Sequence, residues 1–164
     1  MADNDWEQRV AAAWASIDDL SETDFVDLIA ELAAELAPDD AIGMFERAGS
    51  FDSTGRSDLA VPLYREALRI GLTGERRRRA VIQLASSLRN LDQTEESVAI
   101  LTAELDAGSD DLDDAVMAVL ALSLADTGRE REAVSVALTA LAPHLARYQR
   151  SMANYARLLI ETET

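Results

Sequence analysis

Thr127-Gly128-Arg129-Glu130-Arg131-Glu132-Ala133-Val134 is the stretch whose reading decides the fold, because the chain carries its pattern twice more upstream. In register, Gly128 falls on Asp92 and Gly55, and Ala133 on Ser97 and Ala60, at offsets of 36 and 37 residues. Before the turn Ala48, Ala85 and Ala121 coincide, with Phe51, Leu88 and Leu124 three residues later; after it come Tyr64, Leu101 and Ala137, then Leu68, Leu105 and Leu141. Self-similarity at such a period marks a stacked repeat. Two antiparallel helices joined by a tight turn approach closely only where small side chains meet. Ala48 and Ala60 are therefore expected to touch, with Phe51 and Tyr64 filling the space around them. One hairpin cannot bury its apolar stripe alone, so successive hairpins must stack.

The rest of the chain extends this reading. Alanine, leucine, glutamate and arginine dominate, glycine and proline are sparse, and apolar residues recur at helical spacing. Ser21-Glu22-Thr23-Asp24 has the form of a capping box and predicts a helix running to about Leu36. Before it, Asp5 to Ile17 predicts a helix with Trp6, Val10, Ala13, Trp14 and Ile17 on one face. Pro38 marks a break, and residues 7–40 can be laid over the first unit as a degenerate repeat. Pro62 predicts a late start for the helix Leu59 to Leu68. Residues 145–161, with Leu145, Tyr148, Met152, Tyr155, Leu158 and Leu159 apolar, predict an amphipathic helix that caps the stack. The organisation expected is a single domain over 1–164: N-terminal helices in 1–38, three repeats in 39–141, and a capping helix in 142–164.

Segments such as Leu63-Tyr64-Arg65-Glu66-Ala67-Leu68 and Thr127 to Val134 resemble the tetratricopeptide repeat (TPR) family, and the likeness covers about residues 41–141. The chain is similar to small bacterial three-repeat members. The resemblance implies an all-α fold of antiparallel helix hairpins in a right-handed superhelix, whose concave groove is lined by the first helix of each pair. It also implies a non-enzymatic module that binds a protein or peptide and uses no cofactor. Asp92 replaces the turn glycine, Glu104 replaces the small residue matching Ala67 and Ala140, and the usual proline after each second helix is missing. Offsets above the family's usual length of about 34 imply longer inter-repeat loops. One subclass grips C-terminal carboxylates with a lysine and an asparagine on groove-lining helices. Phe45 and Gly49 stand at those places here, which excludes that mode.

Composition narrows function further. The chain has no cysteine, which removes disulfides, thiolate zinc sites and thiol nucleophiles. All 15 basic residues are arginines against 31 acids, so a net charge of -16 argues against nucleic acid as a partner. The acidic start Met1-Ala2-Asp3-Asn4-Asp5 does not read as a signal peptide, and no apolar run approaches the roughly 20 residues of a membrane span. No membrane association and a cytoplasmic location are expected. The charge is uneven: residues 1–40 hold 12 acids and one arginine, residues 41–105 nine of each, and residues 106–164 ten acids and five arginines.

Four consecutive arginines, Arg76 to Arg79, are the one concentrated positive feature. They read either as a solvated helix start pairing with acids, including those of the first 40 residues, or as part of a ligand surface. In the second reading Arg79, Gln83, Ser86 and Asn90 form a polar stripe bordered by Arg89, opposite Val81, Leu84 and Leu88. An acidic ligand suits it, since guanidinium groups bind carboxylates bidentately. The stretch from Leu112 to Ala125 is apolar around nearly its whole circumference. Its face Ala118, Val119 and Leu122 is expected beside the groove residues Ile42 and Phe45, covered by the terminal helices, a partner helix or a second copy. A homodimer that buries this groove is the alternative to a peptide-binding adaptor.

The lone His144 reads as a structural or surface residue. Asp106, Asp110, Asp111, Asp113 and Asp114 lack the spacing and glycine of a calcium loop, and fit a helix start whose dipole favours carboxylates. No phosphate-binding glycine loop, nucleophile elbow or zinc motif occurs, so no enzymatic activity and no metal are expected.

Overall fold

The computed structural model describes residues 2–161; Met1 and residues 162–164, at the ends of the predicted terminal segments, lie outside it. The described residues form nine α-helices and no strand. They are α1 (Ala2–Ala15), α2 (Glu22–Ala33), α3 (Ala41–Ser53), α4 (Ser57–Arg69), α5 (Gly74–Asn90), α6 (Thr94–Ala107), α7 (Asp113–Asp126), α8 (Glu130–Leu141) and α9 (Gln149–Leu158). Short 3-10 turns follow α1 (Ile17–Asp19) and α8 (Ala142–His144). The chain divides into two compact units, Met1–Ser87 and Leu88–Thr164. No helix among the described residues is long and apolar enough to cross a membrane.

The repeat register is written in the turns. After α3, α5 and α7 the residues Gly55, Asp92 and Gly128 take φ values of 74°, 59° and 75°. At each, the following amide reaches back to close the helix end: Arg56 N to Phe51 O at 2.8 Å, Gln93 N to Leu88 O at 2.9 Å, Arg129 N to Leu124 O at 2.9 Å. This Schellman closure satisfies carbonyls the helix would leave orphaned, and needs a left-handed residue at its centre. Glycine adopts that conformation freely, and aspartate is among the few side chains that tolerate it. Asp92 therefore performs the missing glycine's task.

Above each turn the small residues are buried, while Phe51 is only half-buried. In the first unit Ala48, Ala60, Ala67 and Ala85 are all fully buried, and so is Tyr64. In the second, Ala121 and Ala133 are buried, and Ser97 holds the position of Ala60 and Ala133. Its hydroxyl meets Ser123 Oγ at 2.8 Å, so two polar atoms enter that core as a mutual pair.

The N-terminal helices have a core of their own, where Trp6, Val10 and Ala13 pack with Phe25, Ile29 and Leu32, and Ile42 leans against them. Trp6 Nε1 donates to Leu32 O at 2.8 Å. Ser21 caps α2 and accepts from Asp24 N at 3.1 Å, as the capping box requires.

Several boundaries differ from expectation. Helix α1 stops at Ala15 rather than Ile17. Helix α2 stops at Ala33 rather than about Leu36, because Glu35 N and Leu36 N bond only three residues back and unwind the last turn. Helix α4 starts at Ser57, earlier than predicted, with Pro62 inside it. Pro62 lies on the exposed side, where the carbonyl its ring leaves without a donor can be hydrated. The terminal helix α9 begins at Gln149 rather than Leu145, since a 3-10 turn and the left-handed Tyr148 (φ 70°) precede it. It packs on α8 through Ser135 Oγ to Ala156 O at 2.7 Å and Arg131 Nε to Leu159 O at 3.2 Å.

Candidate functional site

In the first unit α1, α3 and α5 contribute to one polar cluster. Glu46 on α3 is only 4% exposed, yet its carboxylate is fully engaged. Trp14 Nε1 donates to one oxygen at 2.8 Å and Arg76 Nε to the other at 3.0 Å. The outer edge of Arg76 grips Glu7 bidentately, Nη1 at 3.0 Å and Nη2 at 2.6 Å. The hydrogen bonds to Glu7, followed by those to Glu46, hold the Arg76 guanidinium above its ordinary pKa and so firmly charged. Gly49 makes room for the indole: a Cβ there would lie 3.0 Å from the Trp14 ring.

Arg79, one turn further along α5, lies with its guanidinium carbon 5.3 Å from the Phe45 ring centroid. Such a contact favours a cation over the ring face and fixes the otherwise flexible arginine. Its ion-pair partner Glu75 stands at 4.0 Å and is itself largely exposed. Arg79, Arg76, Ile42, Leu72, Thr73 and Glu75 line an open cleft of about 490 Å³ where α3 and α5 begin. Asp40 also borders it, but its carboxylate caps α3 by accepting from Ile42 N at 2.8 Å and Gly43 N at 3.0 Å.

Behind Phe45 lies Tyr64, its ring centroid 6.2 Å away, and its buried hydroxyl has no hydrogen-bond partner among the described residues. Burial pushes the phenol well above its ordinary pKa, Asp52 reinforces this and Arg79 opposes it. Asp52 accepts from Ser87 Oγ at 2.6 Å. Its pKa is raised by burial, which outweighs that hydrogen bond. A raised carboxylate pKa means that the fold disfavours the charged form, so this group lowers stability as pH rises through its folded pKa. Asp52→Asn, which keeps an acceptor for Ser87, is expected to raise the melting temperature at pH 7. The gain should shrink as pH falls below the ordinary aspartate value of 3.8 and vanish near about pH 2.5, where both states are protonated. Equal gains at both pH values would contradict the assignment.

The predicted binding residues divide between the two units. Ile42, Phe45, Arg79, Gln83 and Ser86 lie in the first, and Arg89, Asn90, Ala118 and Leu122 in the second. Ile42 and Arg79 meet at the cleft, whereas Phe45 is buried and presents only the platform beneath Arg79. Gln83 and Ser86 are half-buried, and Gln83 Oε1 has no partner among the described residues. Arg89 is held by Asp126, Nε to Oδ2 at 2.5 Å. Asn90 is exposed.

Ala118 and Leu122 line a shallow apolar groove of about 450 Å³ between α7 and α8, with Ala121, Ala133, Val134 and Ala137. The described residues leave α7 open on this side: Leu122 is 51% exposed. His144 Nε2 meets Asp114 Oδ2 at 2.7 Å at the surface. Ser109 to Asp114 form a turn in which Asp113 accepts from Ser109 Oγ and Asp110 N, and Asp110 accepts from Leu112 N.

The reading of the sequence missed the Glu46 cluster. A glutamate directly after the small and apolar run Ala41 to Phe45 of α3, three residues before a mid-helix glycine, was the available signal. The acid and the arginine that match it lie 30 residues apart, so spacing alone could not join them.

No curated protein and no solved structure matches the chain. Residues 41–159 match the family model described as tetratrico peptide repeat, which covers more than half of the sequence. With its hairpins, left-handed turns and buried alanines in the register that such repeats require, the chain belongs to the tetratricopeptide repeat family.

Proposed function

We propose that this chain is a non-enzymatic interaction module that binds an acidic, extended segment of another polypeptide, with Arg79 as the residue that reads its carboxylate. TPR domains are in general protein-protein interaction modules, and the observation that carries the finer reading is Arg79 itself. Its guanidinium is pre-positioned on Phe45 at the edge of an open cleft, with its ion-pair acid at the limit of range. Arg76 is already committed to Glu7 and Glu46 and serves as the wall of the cleft. Ile42 offers the apolar contact. The overall charge of -16 opposes an acidic ligand at long range, but that field is screened beyond about 10 Å at 0.1 M salt.

The test is fluorescence anisotropy with labelled synthetic decapeptides that differ only in glutamate content. Arg79→Ala is expected to weaken the acidic peptides about tenfold or more, as charge-assisted hydrogen bonds of about 1.5–3 kcal/mol imply. Arg79→Lys should not restore binding, because an ammonium cannot reproduce the planar bidentate fork. Unchanged affinity in Arg79→Ala, at an unchanged melting temperature, would remove the residue from the mechanism.

A second reading, a homodimer in which each chain buries the apolar groove of the other, is favoured by a separate observation. Of the large apolar side chains exposed among the described residues, all but Leu20 lie between Leu122 and Ile160. Patches concentrated in this way mark contact surfaces.

A further inference from the structure

The second unit carries both halves of a contact. The α7/α8 groove has a floor of small side chains, Ala118, Ala121, Ala133 and Ala137, between walls made by Leu122 and Val134. A floor of alanines lets another helix approach closely with large side chains projecting inward. Helix α9 offers such side chains. Its inner face, around Ala156, is spent on α8, while Tyr148, Tyr155 and Leu158 stand 75%, 60% and 48% exposed. At 100° per residue, Tyr155 and Leu158 share one stripe of the helix, continued at its N-cap by Tyr148.

Charge selects the partner. Residues 133–160 contain Arg147, Arg150 and Arg157 and not one acid, in a chain of net charge -16. Arg147 and Arg150 have no acid partner among the described residues. The end of the groove at the start of α7 is acidic, with Asp110, Asp111, Asp113 and Asp114 ahead of Ala118, whereas at the start of α8 Glu130 and Glu132 alternate with Arg129 and Arg131. Groove and ridge thus match in shape and, at the start of α7, in sign, and both belong to the same sequence.

We propose that the α7/α8 groove seats helix α9 of a second copy of this chain, the two copies exchanging the contact about a two-fold axis. The proposal rests on the dimer reading above and names what fills the groove. A reciprocal contact buries each surface twice. Tyr148 and Tyr155, at the ~150–250 Å² of a buried aromatic, together with Leu158, Leu122 and Val134, give on the order of 1,000 Å² over both copies. That is the lower edge of specific interfaces, so the dimer is expected in the micromolar range.

Sedimentation velocity of the full chain from about 1 to 100 μM is the test. The native protein should shift from monomer to dimer across this range, and Leu122→Glu and Tyr155→Glu should each stay monomeric with unchanged helicity. Because the chain lacks cysteine, Ala137→Cys and Tyr155→Cys proteins can be mixed under mild oxidation. The cross-linked species should be predominantly the mixed pair, since α9 of one copy faces the groove of the other. A native chain that stays monomeric at 100 μM overturns the proposal, and leaves any occupant of the groove to be a different protein. A dimer lost in Leu122→Glu but kept in Tyr155→Glu sinks α9 as the occupant while preserving the buried groove. A dimer that survives both substitutions sinks both.

Discussion

Tyr64→Ala is expected to destabilise the first unit by about 3–5 kcal/mol, the range for truncating a fully buried aromatic, whereas Tyr64→Phe should leave stability unchanged or raise it by about 1 kcal/mol. The contrast separates the two parts of one side chain. The ring is fully buried and packs near the Phe45 ring, so its truncation leaves a void in the interior. The hydroxyl is buried without a hydrogen-bond partner among the described residues, and is close enough to Asp52 for that carboxylate to oppose its ionisation. Removing a buried polar atom that makes no hydrogen bond relieves a desolvation cost. Trp6 and Trp14 are the two tryptophans of the chain and both lie on α1, so urea unfolding followed by indole fluorescence reports on this unit. A loss above about 1 kcal/mol in the phenylalanine variant would show that the hydroxyl has a partner, an ordered water being the simplest.

The second large effect is expected at Arg76. Its replacement by alanine strands the Glu46 carboxylate in the interior with the Trp14 indole N–H for company. Breaking a buried ion pair from one side typically costs about 3–5 kcal/mol, and the partial exposure of Arg76 puts the expectation near the lower figure. Glu7→Ala is the control. It removes the outer carboxylate, which water can replace, and should cost less than about 1 kcal/mol. If the two substitutions cost the same, the Glu46 contact contributes nothing special. A second arm sharpens the point: Glu46→Gln combined with Arg76→Ala should recover part of the loss, because no charge then remains buried.

The fold was legible because its determinants are local and periodic. Ala48, Ala85 and Ala121 fall at spacings of 37 and 36, and the residues at the turn and at the start of the second helix repeat the same two spacings. Asp92 was legible as a departure but not as a solution, since its positive φ follows from the backbone closure around it. Pro62 misled, because a proline's effect on a helix depends on which side of the helix faces water, and that is set by tertiary packing. The candidate site was legible only in part. Arg79 could be singled out as a cation on a helical stripe, and Leu122 as an apolar residue in excess of what packing needs. That Phe45 would lie beneath Arg79, that Glu46 would be paired from two helices, and that Arg89 would be held by Asp126 all depend on meetings between distant residues. No single sequence encodes those as spacing.

The turns at Gly55, Asp92 and Gly128 have a consequence for how the chain acquires its structure. Each closes contacts between residues that are near neighbours along the backbone, and the helices that pack, such as α3 with α4 and α7 with α8, are consecutive. Little loop entropy must be lost before a hairpin is rewarded, which favours rapid formation of each hairpin. During synthesis an early hairpin can form while later ones are still being made, so the nascent protein offers a ready template to each hairpin as it emerges.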